Sequence, residues 1–465
     1  MKMKNTRPWL LAGLLAGIVV LAVVFRPAPT AVPTAAQANT AEPAPDEPAH
    51  ETTDSSGAAD PGAADPGATD TAANATADAD GSTQTDSTPR SGRIISAQHE
   101  VTYSPAQVDS HARRLFGTDT PSANHGVDIY RLEFESIDLS GQPTTVYAQL
   151  FVPRLSEPAG RPVYVFGAGT TGLTDLCRTS REHEAGVNWG LYRNHLLAHA
   201  GQGIIGILPD YMHFGDPGEL QPYFVPAAEG RVMLDAARAV YGFFSVGYHG
   251  AVPLRAPFLA GFSQGGHAIF AAADMAASYA PELDIAGLIG YGSTTDIEDI
   301  FREFTVVAAP IIYTYARLYG EDRFDPAVML QDRWLNNLAI DIRRLCILGL
   351  QDYYPWGPDS FFRPDFLRSL RNRSLAEDFP AIHAILRENR TGLSGHGIPA
   401  LILQGGNDVV INLDDQQRFV SQLRDTGSEV RYLVYPGSRH DTRQIGFSDA
   451  LDWMLDHAEL QEHRP

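Results

Sequence analysis

The sequence predicts an α/β fold: a mostly parallel sheet with antiparallel strands at its amino-terminal end, helices on both faces and a helical insertion late in the chain. Three observations carry this expectation. Val127 to Glu135 and Thr144 to Val152 alternate apolar and polar residues around Ser140-Gly141-Gln142, the pattern of a hairpin. Short apolar runs then recur at 162–166, 203–208, 256–260, 285–291, 400–404 and 430–435, as in strands buried on both faces of a parallel sheet. Helical segments such as Glu229 to Val240 and His267 to Ala280 lie between them. The spacing breaks once, between Gly292 and Pro399. That interval is rich in Phe, Tyr and Leu and reads as a helical lid inserted over the strand ends at about 295–396.

The chain has 465 residues, 44% of them hydrophobic, which excludes global disorder. The net charge of −21 excludes a general phosphate-binding surface, so no nucleic-acid partner is expected. Two cysteines exclude a disulfide scaffold or a zinc-ribbon array. Three zones follow. Residues 1–27 place Lys2, Lys4 and Arg7 before an uncharged apolar run from Trp9 to Phe25, the pattern of a signal peptide or of a signal-anchor transmembrane segment. If uncleaved, it would tether the chain to a membrane with the rest outside the cytoplasm; if cleaved, the protein is secreted. Residues 28–92 hold eleven acids against Arg90 alone, in Ala, Pro, Thr, Asp and Gly, and are expected to form a disordered linker. Residues 93–465 are expected to fold as one domain carrying the lid.

Chemistry concentrates at three places. Ala256 to Ala260 runs into GFSQGGH, Gly261 to His267, followed by a helical stretch. A strand, a G-x-S-x-G turn and a helix in that order describe a nucleophile elbow at Ser263, in which glycines relieve collisions around a strained serine. A serine hydroxyl needs a base, and the base an orienting acid. In α/β-hydrolases these follow the serine in chain order on loops beyond late strands. Ala400 to Gln404 is followed by GGND, presenting Asp408, and Val430 to Tyr435 by PGSRHD, presenting His440. Asp414, Asp415 and Asp441 are competing acids, and Asp408 could instead cap the helix around Asp414 to Leu423. The expected oxyanion donors are the N–H of Gln264 and, from the loop GAGTTG at Gly167 to Gly172, Thr170 or Thr171. A plain glycine-rich turn is the alternative for that loop.

The set AGTTG, PDYMHFGDPG, YFVPAAEGRVMLDAARA, GFSQGGH, QGGND and GSRH resembles the secretory lipase family of α/β-hydrolases over most of 127–457, most specifically from Asp210 to Ala239. The chain departs from the family pattern at His213, where a glycine is expected, and at Ala168, where relatives usually carry histidine. The resemblance implies an exported carboxylic ester hydrolase with a helical lid over an acyl-binding cleft. The expected activity is hydrolysis of small-molecule or lipid esters through an acyl-enzyme at Ser263, without metal or organic cofactor. A serine peptidase of the same fold and a non-catalytic membrane-tethered interaction module are the alternatives. Asp352 to Trp356 and Phe361-Phe362 could line an acyl channel or pack the lid. Cys177 and Cys346 could pair or stay free thiols. His195 and His199, one helical turn apart, are expected to pack rather than bind metal, and His267 to pack or support the elbow.

Overall fold

The computed structural model describes residues 91–117, 122–185, 190–216, 218–247 and 250–462. The apolar run Trp9–Phe25 and the acidic stretch up to residue 90 lie outside them. Ser91 and Gly92, placed by the sequence at the end of the linker, are buried, and the Gly92 amide donates to the Glu135 carbonyl at 2.6 Å. Among the described residues no helix is long and apolar enough to cross a membrane.

The strands in chain order are β1 (Ile94–Tyr103), β2 (Gly126–Ile137), β3 (Pro143–Arg154), β4 (Ala159–Arg161), β5 (Val163–Gly167), β6 (Ile205–Pro209), β7 (Ala251–Pro253), β8 (Phe258–Phe262), β9 (Gly287–Tyr291), β10 (Ala400–Gly405) and β11 (Val430–Tyr435). Nine of them form one sheet in the order β1-β2-β3-β6-β5-β8-β9-β10-β11, and β4 pairs with β7 apart from it. β1, β2, β3 and β6 pair antiparallel; from β6 to β11 every pairing is parallel. This is the expected α/β-hydrolase fold. β1 was not legible as a strand: it lies at the sheet edge with most of its first half exposed, so burial imposes no alternation on its sequence.

The central strands feed a core on each face. Along β5, Val163 and Val165 enter one core and Tyr164 and Phe166 the other; along β10, Ile402 and Leu401 divide in the same way. Burial on both faces explains why these strands read as continuous apolar runs. The β2–β3 hairpin turns through Gly141 at φ +82°, with the Asp138 carboxylate accepting from the Ser140 and Gln142 amides at 2.9 and 2.8 Å.

Between β9 and β10 the chain forms a layer of helices, opening with Ile297–Glu303 and Thr305–Tyr319 and closing with Pro380–Glu388. The aromatic run settles mostly into packing. Tyr354, Phe361 and Phe362 are buried with Trp334 in the same core that Val163 and Val165 enter from the sheet, while Tyr353 and Trp356 remain about half exposed.

One covalent link joins this layer to the sheet. Cys177 and Cys346 form a disulfide, with Cα atoms 5.5 Å apart at a sequence separation of 169. Cys177 ends a short 3₁₀ turn after the Gly167–Gly172 loop, and Cys346 caps the helix Ile347–Tyr353. The Ile347 amide donates to the Thr171 carbonyl at 2.8 Å, so a hydrogen bond runs beside the covalent one. In the chain-entropy model a loop of this length is worth about 5 kcal/mol. Replacing both cysteines by serine is expected to lower the unfolding free energy by about 2–5 kcal/mol, read as a lower urea midpoint under non-reducing conditions.

Candidate active site

Ser263 stands between β8 and the helix Gln264–Tyr279, at φ 54° and ψ −111°. A non-glycine residue rarely occupies this region, and the surrounding backbone holds it there. The Ser263 amide donates to the Tyr291 carbonyl at 3.0 Å, and the Ser263 carbonyl accepts from the amides of Gly266 at 2.9 Å and Thr294 at 3.2 Å. Glycines make room for the turn. A Cβ on Gly261 would stand 2.0 Å from the Gly265 carbonyl oxygen, and one on Gly265 would stand 1.9 Å from that of Gly167.

Asp408 and His440 follow β10 and β11. His440 Nδ1 donates to Asp408 Oδ2 at 2.9 Å. The other carboxylate oxygen accepts from the Val410 and Ile411 amides at 2.8 and 3.0 Å, and Gln404 Nε2 donates to Oδ2 at 3.1 Å. Burial pushes the Asp408 carboxyl up, but His440 and the two amides outweigh it and hold the group below the ordinary aspartate range. Of the competing acids, Asp441 is forked onto Arg443 at 2.9 and 2.6 Å. Asp415 bonds to Asn412 and Arg418.

Ser263 and His440 line one cavity of about 240 Å³. His440 Nε2, the ring nitrogen turned away from Asp408, is buried without a hydrogen-bond partner. The cavity also takes in Thr170 from the glycine-rich loop. Thr171 is not part of its wall; its carbonyl serves the lid, as described above. Gln264 follows the serine as the first residue of the helix, fully buried.

Phe304, Val307, Ile347, Leu348 and Gln351 supply the lid side of the cavity, with Val410, Leu191, Tyr192, Phe262, Asp441 and Arg443 completing it. The lid wall therefore comes from helix faces inside the aromatic-rich runs rather than from Asp352 to Trp356 or Phe361-Phe362. Trp356 is not part of the wall but packs edge-on against Phe304, with ring centroids 5.4 Å apart. The Arg443 guanidinium lies 4.6 Å from the ring centres of both Tyr192 and Phe262, and Phe262 in turn packs against His440 at 4.9 Å. Nothing in the sequence singles out this clamp, since stacking partners come from separate elements.

Other residues noted in the sequence do not line that cavity. His195 and His199 are buried among Tyr164, Phe166, Tyr291 and Phe447. His195 Nε2 bonds with the Tyr164 hydroxyl at 3.0 Å, and burial pushes His199 down to about 4. Among the described residues no group of three or more His, Cys, Asp or Glu side chains is placed to hold a metal ion. His213 takes φ +70°, which accounts for the glycine expected there, and bonds to Asp216 at 3.2 Å. The Ala168 carbonyl accepts from the Tyr211 hydroxyl at 2.6 Å.

Two expectations follow. Gly292 has φ +51°, and a Cβ there would stand 3.0 Å from His440 Nδ1. Gly292→Ala should displace the imidazole from Asp408 and lower kcat by about tenfold or more, measured beside an unfolding curve that confirms a folded variant. Beneath the cavity, burial raises the Glu182 carboxyl to about 8 despite the amides of Arg193 and Tyr192 and the Arg443 charge. The native state then keeps a proton that the unfolded chain releases from its ordinary 4.5 upward, so stability falls as pH rises across that window to about 8. Glu182→Gln should match the parent near pH 5 and exceed its melting temperature near pH 9.

Comparisons with known proteins agree with this architecture. The family profile "Secretory lipase" matches residues 193–461. Lipase A of Arthroderma benhamiae is 25% identical over 353 residues, covering 70% of each chain. Among solved structures, the rice cell wall degrading esterase LipA from Xanthomonas oryzae superimposes with a TM-score of 0.64 at 18% identity, covering 81% of this chain and 98% of its own. Candida antarctica lipase A in its closed state gives 0.59 at 18% identity, covering 80% and 83%.

Proposed function

The chain belongs to the secretory lipase family of ester hydrolases, and on that premise we propose that it cleaves carboxylic esters by acyl transfer through Ser263, His440 and Asp408, outside the cytoplasm. The observation that carries the reading is the state of His440. One ring nitrogen is tied to Asp408 at 2.9 Å, and the other is buried and unpartnered in the cavity that Ser263 lines.

In the first step the Ser263 oxygen attacks the ester carbonyl while its proton passes to His440 Nε2. Asp408 stabilises the imidazolium and fixes the tautomer. The carbonyl oxygen becomes an oxyanion facing the Gln264 amide, at the amino end of the helix Gln264–Tyr279, and the loop at Thr170 and Thr171. Collapse breaks the bond to the alcohol oxygen, which leaves with the proton from His440. Water then attacks the acyl-enzyme, His440 accepting its proton and returning it to Ser263 as the acid departs. The apolar side chains of Phe304, Val307, Ile347, Leu348 and Val410 support a hydrocarbon acyl group as the part enclosed.

Two features support export: the Trp9–Phe25 run, as cleaved signal or as membrane anchor, and a disulfide of the kind that persists in oxidising compartments.

Ser263→Ala should lower turnover of p-nitrophenyl esters by about 10⁴-fold or more and abolish labelling by a fluorophosphonate, with the melting temperature retained. Asp408→Asn should cost on the order of 10⁴ in kcat through the wrong tautomer. Ester turnover by Ser263→Ala at the parent rate would overturn the assignment.

A further inference from the structure

We infer that Glu229, together with His267, is a positioning pair that holds the two halves of the oxyanion site in register and keeps that region free of net negative charge. The inference rests on the acyl-transfer reading above and extends it to residues that do not touch the substrate.

The two halves come from distant parts of the chain, Gln264 at the elbow and Thr170 in the glycine-rich loop. Glu229 lies between them in sequence, on the helix Pro226–Ser245, and is 1% exposed. Its Oε1 accepts from Gln264 Nε2 at 2.7 Å and from the Phe224 amide at 2.9 Å. The second bond pins Phe224 at φ +55°, a conformation that a bulky residue keeps only when its surroundings impose it. The segment before Phe224 then reaches both halves. Gln221 Oε1 accepts from Gln264 Nε2 at 3.0 Å, while its own amide nitrogen donates to the Gly172 carbonyl. The Tyr223 hydroxyl shares a hydrogen bond of 2.5 Å with Thr170 Oγ1. One carboxylate thus fixes Gln264 directly and, through residues 221–224, the loop that carries Thr170.

A buried carboxylate beside an oxyanion site would oppose the negative charge that forms there. His267 removes the conflict. Its Nε2 faces the Asn389 carbonyl at 2.9 Å and must donate to it, while Nδ1 stands 2.5 Å from Glu229 Oε2. One proton must lie between Nδ1 and Oε2, since otherwise two lone pairs would face each other at that distance. Whichever atom holds it, the pair is neutral as a whole. Both side chains are buried, so no solvent screens the alternative.

Steady-state kinetics on a p-nitrophenyl ester test the proposal, each variant being checked by circular dichroism and thermal melting. Glu229→Ala should lower kcat by about tenfold or more, below the 10²–10³ of a lost oxyanion donor, with KM changed by less than about threefold. Glu229→Gln keeps the carbonyl oxygen for Gln264 and Phe224 and should recover most of that loss. His267→Asn leaves the carboxylate unbalanced and should also lower kcat, and adding Glu229→Gln to it should restore activity relative to His267→Asn alone. Folded Glu229→Ala with the parent kcat, or Glu229→Gln no better than Glu229→Ala, would overturn the inference. If Glu229→Ala does not fold, failure of the double variant to exceed His267→Asn overturns it instead. These results leave the acyl-transfer reading intact as long as Ser263→Ala stays inactive; an active Ser263→Ala sinks both.

Discussion

The site depends on three pieces of backbone meeting at contact distance: the end of β5 at Gly167, the end of β8 at Gly261, and the first turn of the following helix at Gly265. At Gly261 and Gly265 no side chain fits, since even a methyl group would lie about 2 Å from a carbonyl oxygen. That closeness holds Ser263 in a conformation that it would otherwise avoid, and it brings the glycine-rich loop against the turn that carries Ser263. The strain is local, while its support is spread over the parallel sheet, because β5, β8 and β9 must stay in register for the three segments to coincide.

The loops that carry Asp408 and His440 rely on the same kind of closeness. Gly405, at the end of β10, has no room for a Cβ because the Arg439 carbonyl oxygen would lie 2.0 Å away. The strand end and the loop bearing His440 therefore sit backbone to backbone, and the Thr442 hydroxyl ties that loop to the Leu403 carbonyl at 3.0 Å. Arg443, stacked between Tyr192 and Phe262, secures its far side. Glycine at the strand ends and an arginine between rings perform one task, which is to leave the imidazole little freedom.

The fold was legible because burial on both faces of a parallel sheet imposes a pattern on short stretches of chain, as in 256–260 and 400–404. The positions of the loops that carry Ser263, Asp408 and His440 were legible for the same reason: each follows a strand whose apolar run marks it. What the sequence did not disclose depends on contacts between distant segments. β1 left no pattern because most of its first half is exposed, so burial imposes no alternation there. The lid residues at the cavity could not be told from their neighbours, since Phe304 and Val307 sit in the same apolar run as residues that pack inward. Glu229 lay within the most family-specific segment, yet its partners Gln264 and His267 follow about 35 residues later and become neighbours only once the two helices pack. Whether the two cysteines pair was likewise undecidable before the insertion had a position.

That bridge makes the insertion and the glycine-rich loop a single mechanical unit, although they are encoded far apart. Chimeras that exchange the helical layer between relatives would have to carry a matching thiol at the same point of the helix, or leave Cys177 as an orphan sulfhydryl against Gly172 of the glycine-rich loop. A host that makes the chain in a reducing cytosol would leave the architecture without its clasp, so the compartment of synthesis becomes a variable in how firmly the roof sits on the cavity below it.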